Sequence, residues 1–148
     1  MPFNTTPQQV CYSFYQVNKL FNQFYMSILS EFDLTYTQYF CLLSLWSNHP
    51  QTLHQLGDKL DLSSNTLTPL LKRLEEKGLI ERVRPEDDKR QLVIYLTEKG
   101  KELESQLNKA IAPHYQEIPS INDKDGKDLI AANKALAQQL QQFLKAYK

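Results

Sequence analysis

A chain of 148 residues, with 17 Lys and Arg against 17 Asp and Glu, is formally neutral and long enough for one domain with a proper core. No run approaches the stretch of about 18 apolar residues that a membrane span needs, and no basic-then-apolar leader opens the chain, so a soluble cytoplasmic protein is expected. Two cysteines, Cys11 and Cys41, are too few for a disulfide framework, and His49, His54 and His114 are scattered without ligand partners, so neither a metal nor a cofactor is expected.

In chain order, Thr6-Pro7 reads as a cap followed by a proline at the first helical position, opening a helix to about Ser30. Within it Val10, Phe14, Val17, Phe21, Phe24 and Ile28 recur at spacings of four and three, a seam that calls for another helix. Thr35 and Gln38 form a capping box for a helix over Tyr36–Ser47, which His49-Pro50 ends. A second box, Thr52 with Gln55, opens a short helix over Leu53–Leu60, and Asp61-Leu62 make a tight turn. Ser63-Ser64 cap the next helix, which runs to about Lys77 and stops at Gly78 in a left-handed conformation. That helix buries Leu67, Leu70, Leu71 and Leu74. Ser63, Ser64, Asn65, Thr66 and Thr68 at its start are short hydrogen-bonding side chains, and Lys72 and Arg73 follow one turn on.

After Gly78 the period switches to alternation, predicting strands over 79–84 and 91–96 joined by a charged tip, 85–90. Thr97 caps a helix to about Tyr115, in which Pro113 implies a late kink or break. Residues 119–122 read as a loop. Asn122 is expected to cap a last helix to about Tyr147, with Leu129, Ala132, Leu136, Leu140, Phe143 and Leu144 along one side.

A helix-turn-helix followed by a basic-tipped hairpin is a winged helix-turn-helix, a reader of duplex DNA. The expected fold is mainly α (α+β): a single domain over 1–148 in which 52–100 bind DNA and the helices of 1–48 and 101–148 serve dimerisation. Zero net charge is awkward for this function, because phosphate neutralisation supplies most non-specific affinity. Lys72, Arg73, Arg84, Lys89 and Arg90 must then face one way, and Glu75, Glu76 and Glu81 away. The plain alternatives are a solvated helix face for Lys72 and Arg73 and an ordinary hairpin ion pair for Asp88 and Arg90. The terminal helices carry more apolar surface than a monomer readily hides, although a single-chain core is the competing reading. A two-fold dimer would place two recognition helices one DNA turn apart, the geometry that reads a palindrome.

The stretch from Leu67 to Glu75, Gly78-Leu79-Ile80, Asp88-Lys89-Arg90 and Leu96-Thr97-Glu98-Lys99-Gly100 resemble the MarR family of transcriptional regulators over nearly the whole chain. The resemblance implies a homodimeric winged-helix protein, usually a repressor, that releases DNA when a small molecule or oxidant acts on it. Upstream, Cys11-Tyr12-Ser13-Phe14-Tyr15 with Leu34-Thr35-Tyr36-Thr37-Gln38-Tyr39 is similar to the thiol-based subgroup of organic hydroperoxide resistance regulators (OhrR) and their SarZ- and MgrA-like relatives. That likeness implies Cys11 as sensor, Tyr15 beside it on the same chain, and Tyr25 and Tyr36 reaching it from the other chain. Thr37 stands where many relatives have proline, and Ser63 and Asn65 replace the more usual aspartate and glycine. Members with two cysteines carry a resolving cysteine in the C-terminal helices; this chain has none there, so a one-cysteine sensor is implied.

Sulfur chemistry points the same way. Cys11 lies early in a helix, where aligned peptide dipoles favour an anion, and Tyr15 projects from the same face four residues on. A thiolate attacks a peroxide oxygen to give a sulfenic acid, which condenses with a low-molecular-weight thiol. Eight tyrosines and seven phenylalanines, concentrated before residue 47, favour an organic hydroperoxide over hydrogen peroxide. The bland reading makes Cys11 a small apolar filler, as Cys41 is expected to be within Tyr39-Phe40-Cys41-Leu42-Leu43. Two other functions compete: a regulator answering to a phenolic ligand, and a thiol peroxidase, which the lack of a resolving cysteine disfavours. The partners expected are an A·T-rich palindromic duplex, a second copy of the chain, an organic hydroperoxide and a small thiol, with no membrane.

Overall fold

A computed structural model of the chain describes residues 3–147. The first helix, α1 (Thr6–Leu29), starts one residue earlier in its capping than the sequence suggested. Thr5 is the cap, its N–H donating to Gln8 Oε1 at 3.3 Å, and Pro7 lies in the first turn. A 3-10 turn (Ser30–Phe32) follows and ends at Asp33, whose φ of 54° is left-handed. Helix α2 (Tyr36–Ser47) opens with the expected reciprocal box: Gln38 N–H donates to Thr35 Oγ1 at 3.2 Å, and Thr35 N–H to Gln38 Oε1 at 3.1 Å.

The strand β1 (Gln51–Thr52) leads into α3 (Leu53–Leu60), opened by the Thr52–Gln55 box. Asp61 turns the chain with a φ of 53°, and α4 (Ser64–Glu76) follows, stopped by Gly78 at a φ of 75°. The hairpin strands β2 (Ile80–Val83) and β3 (Val93–Leu96) are shorter than expected, because Arg84, Gln91 and Leu92 open into the wing and the Leu79 N–H bonds back to Leu74 O at the end of α4. The sheet has three antiparallel strands in the order β1-β3-β2, with Gln51 and Arg82 both opposite Ile94. The third strand, β1, escaped the sequence reading because two residues are too few to show a period.

The leucines of α4 form the centre of this packing. Leu67, Leu71 and Leu74 are fully buried together with Leu42 and Leu45 of α2, Leu56 of α3 and Ile94 of β3. Each contributes about 1.5–3 kcal/mol by leaving water, so the recognition helix is held on a rigid base. Helix α5 (Glu98–Tyr115) begins against the hairpin. Thr97 Oγ1 donates to Gly78 O at 2.6 Å and accepts from Gly100 N–H at 3.0 Å. A Cβ at Gly100 would lie 2.1 Å from Leu79 O, so only glycine fits, and Trp46 Nε1 donates to the Gly100 carbonyl at 2.9 Å.

The chain divides into two compact units between Leu107 and Asn108, inside α5. In the second unit α5 runs on through Pro113 and stops two residues later, without the break that the proline suggested. A 3-10 turn (Pro119–Ile121) leads to α6 (Asp123–Ala146). Asn122 occupies the cap position, but its amide does not cap α6. It donates backwards, to Tyr115 O at 2.7 Å and Ile118 O at 3.0 Å, closing the turn instead. Among the described residues no helix is long and apolar enough to cross a membrane.

Candidate nucleic-acid interface and thiol site

Helix α4 turns its leucines inward, and at about 100° per residue the opposite face carries Asn65, Pro69, Lys72 and Glu76. All four are exposed. Thr68 and Ser64 flank this face on the hairpin side, and Thr66 and Arg73 on the other. Ser63 is the N-cap: its hydroxyl accepts from Thr66 N–H at 3.3 Å and pairs with Thr66 Oγ1 at 3.2 Å. The hydroxyls of Ser63 and Thr66 thus serve the helix start, leaving Asn65 and Lys72 on the outward face and Thr68 beside them on the hairpin side.

The acids do not all face away as the charge argument required. Glu76 shares the outward face with Lys72, one turn nearer the helix end. Glu75 is taken up by Arg82 of β2, whose backbone N–H donates to Oε2 at 2.9 Å while Nη2 and Nε donate to Oε1 at 3.0 and 3.3 Å. The Arg82 guanidinium, then its backbone N–H, hold the Glu75 carboxyl below the usual range. Sequence reasoning missed this pair. The signal available was an acid in the last turn of a helix, where the macrodipole disfavours a negative charge unless a cation answers it.

At the wing, Asp88 Oδ1 accepts from both the N–H and Nε of Arg90 at 3.2 Å. Arg90 is 93% exposed, so its guanidinium is braced yet free to meet a ligand. Arg84 Nη1 donates to Lys89 O at 3.0 Å, which ties the two sides of the tip together. Lys72, Arg73, Arg84, Lys89 and Arg90 are all exposed. A cavity of about 490 Å³ lies between the end of α1, the start of α2 and the end of α4, where Lys77 donates to Asp33 O and pairs with Asp33 Oδ2 at 3.5 Å. His54 and Asp58 form an exposed pair at 3.3 Å on α3.

The two cysteines occupy opposite environments. Cys41 is fully buried, and burial pushes its thiol up to about 12. Cys11 is exposed, the sixth residue of α1 and so in its second turn, whereas the field of a helix N-terminus acts mainly over the first. Tyr15, one turn on, is 61% exposed. The other two tyrosines lie elsewhere. Tyr25 and Tyr36 stack with ring centroids 5.2 Å apart, Tyr39 joins Tyr25 at 5.4 Å, and Phe40 meets Tyr36 edge-on at 4.7 Å. Fourteen residues separate Cys11 from Tyr25 along one helix, about 21 Å at 1.5 Å per residue. One chain therefore supplies the two halves of the predicted constellation at a distance and does not assemble them. The N-terminal part of the α1 seam is open too, with Val10 41%, Phe14 42% and Val17 50% exposed, and on α6 Leu140, Phe143 and Leu144 are 55–60% exposed.

Residues 23–107 match the family described as transcriptional regulator SarA/Rot. The HTH-type transcriptional regulator SarZ of Staphylococcus saprophyticus is 46% identical over 105 residues, 71% of this chain and 72% of the relative. Among solved structures, reduced AbfR bound to DNA matches with a TM-score of 0.85 and 42% identity, covering 93% of this chain and 94% of AbfR, a Staphylococcus epidermidis protein. Disulfide-formed AbfR matches at 0.66, with 44% identity over 88% of this chain and 91% of that one. A MarR family regulator from Neisseria meningitidis, 24% identical, shares the fold at a TM-score of 0.78 over 98% of this chain and all of its own. The winged helix-turn-helix, the leucine-anchored α4 and these relatives agree: the chain belongs to the SarA/Rot family of DNA-binding transcriptional regulators, built on the MarR-type winged helix.

Proposed function

We propose that the protein is a homodimeric repressor that leaves DNA when an organic hydroperoxide oxidises Cys11. The observation that carries this reading is the separation of Cys11 and Tyr15 from the Tyr25–Tyr36 stack within one chain, beside an uncovered apolar seam on α1. A second copy, packed through the helices of 1–48 and 101–148, buries such seams and brings its Tyr25 and Tyr36 to Cys11. The AbfR structures support a thiol switch in the family, since that protein is known reduced on DNA and in a disulfide form.

The chemistry balances simply. The Cys11 thiolate attacks the distal peroxide oxygen, the O–O bond breaks, an alcohol leaves and a sulfenic acid remains. A low-molecular-weight thiol then displaces water and leaves a mixed disulfide. Cys41, buried and held as a thiol, is a poor resolving partner. Hydrogen bonds from tyrosine to a charged sulfur contribute about 1.5–3 kcal/mol each. Losing two in each subunit, about 6–12 kcal/mol over the dimer, covers the roughly 5.5 kcal/mol needed to swing a two-state population from one extreme to the other.

On DNA, Asn65, Thr68 and Lys72 face the major groove, with Ser64 and Arg73 on flanking phosphates and Ser63 and Thr66 fixing the helix start. Arg90, braced by Asp88, enters the adjacent minor groove, with Arg84 and Lys89 at the backbone. An A·T-rich palindrome suits both the narrow groove and the two-fold axis. With the bacterial chromosome as its target, the protein acts in the cytoplasm.

The test is binding to an A·T-rich palindromic duplex, reduced against treatment with cumene hydroperoxide and a small thiol, for wild type and Cys11→Ser. Release by wild type alone is expected. Equal retention by both proteins would overturn the redox reading.

A further inference from the structure

The strand β2 is an edge of the sheet, so the N–H groups on its outer side have no strand to pair with. Glu75 takes one of them, the N–H of Arg82, at 2.9 Å and grips the same residue's guanidinium with its other oxygen at 3.0 Å. One side chain at the end of the recognition helix therefore holds both the backbone and the side chain of the strand that leads into the wing. Arg82 is well covered, with 21% of its side chain exposed, which sets this pair apart from the exposed ion pairs elsewhere on the surface. Beside it, Thr68 of α4 and Arg84 at the wing root line a cavity of about 350 Å³ between helix and hairpin. The width of that cavity is the spacing between the two elements that meet DNA.

We propose that Glu75 and Arg82 are positioning residues for DNA recognition, fixing the wing relative to the recognition helix so that Arg90 reaches the minor groove while Asn65 and Lys72 occupy the major groove. The inference rests on the DNA-binding reading above. Neither residue touches DNA; each acts through Arg90.

The experiment is a double-mutant cycle on the full-length protein. The wild-type protein first selects a duplex from a random-sequence pool, and its affinity for that duplex is then measured by fluorescence anisotropy for Glu75→Gln, Arg90→Ala and the double variant. Glu75→Gln is expected to weaken binding about tenfold on its own and to add nothing once Arg90 is gone. Arg82→Lys, which keeps the charge but loses the fork geometry, repeats the cycle should Glu75→Gln melt early. An equal loss in both backgrounds, or no loss in either, overturns the proposal, because it would show a general structural role or none. If no duplex is enriched, or Arg90→Ala binds like wild type, the DNA or wing reading itself fails and the proposal falls with it.

Discussion

The DNA-binding segment and the terminal helices are finished to different degrees within one chain. From Thr52 to Gly100 the described helix starts are capped, the α4 leucines are buried and the edge strand is held by Glu75. Along α1 and α6 the apolar side chains stay open, with Leu20, Leu140, Phe143 and Leu144 more than half exposed. A single chain buries the α4 leucines of the first region and leaves Val83 and Tyr95 of its hairpin partly open. The second is specified for a contact that one chain does not make. Recognition geometry is thus built into the protomer, while under the proposed function the thiol site waits for a second copy.

That contrast can be broken most forcefully in the core. Leu71→Ala, at a fully buried position, is expected to cost about 2–5 kcal/mol in urea unfolding. Leu144→Ser on α6 should change the stability of an isolated protomer by only about 0.5 kcal/mol while shifting sedimentation from dimer to monomer. A dimer that survives Leu144→Ser paired with Phe143→Ser would remove α6 from the interface.

The cysteines sharpen the same contrast. Maleimide should label Cys11 in the native protein at neutral pH and reach Cys41 only on unfolding or in strong alkali, since burial holds that thiol near 12. Rapid native labelling of both would mean that α2 opens readily.

The smallest effect is the acid dependence of the Glu75–Arg82 pair. Pairing lowers the Glu75 carboxyl, so its stabilisation is complete above the unfolded value of about 4.3 and is lost as pH falls through the lower folded one. Half-exposed as the carboxylate is, the contribution should stay below about 1 kcal/mol. Glu75→Gln should flatten the acid limb of the stability curve, below the unfolded value, by that amount; an unchanged curve would show that the pair adds nothing to folding.

Much of the protein is legible in its sequence. The helices over Tyr36–Ser47 and Leu53–Leu60 fall where their capping boxes place them, and Asp88 pairs with Arg90, as the plain hairpin reading expects. Two of the misses concern helix starts. Thr5 rather than Thr6 caps α1, and Asn122 bonds backwards, because neighbouring polar residues compete for one role and only the path of the chain decides between them. Glu76 was expected to face away and instead shares the face of Lys72, since the helical period carries both to one side.

What the sequence determined by itself is local: the Thr35 and Thr52 capping boxes, the left-handed stop at Gly78 and the leucine stripe of α4 act within one or two turns and need no distant partner. What only the tertiary structure decided joins residues from different elements. The β1–β3 pairing, the grip of Glu75 on Arg82 and the Tyr25–Tyr36 stack, about 21 Å along α1 from Cys11, depend on how elements approach in space, which no period in the chain encodes.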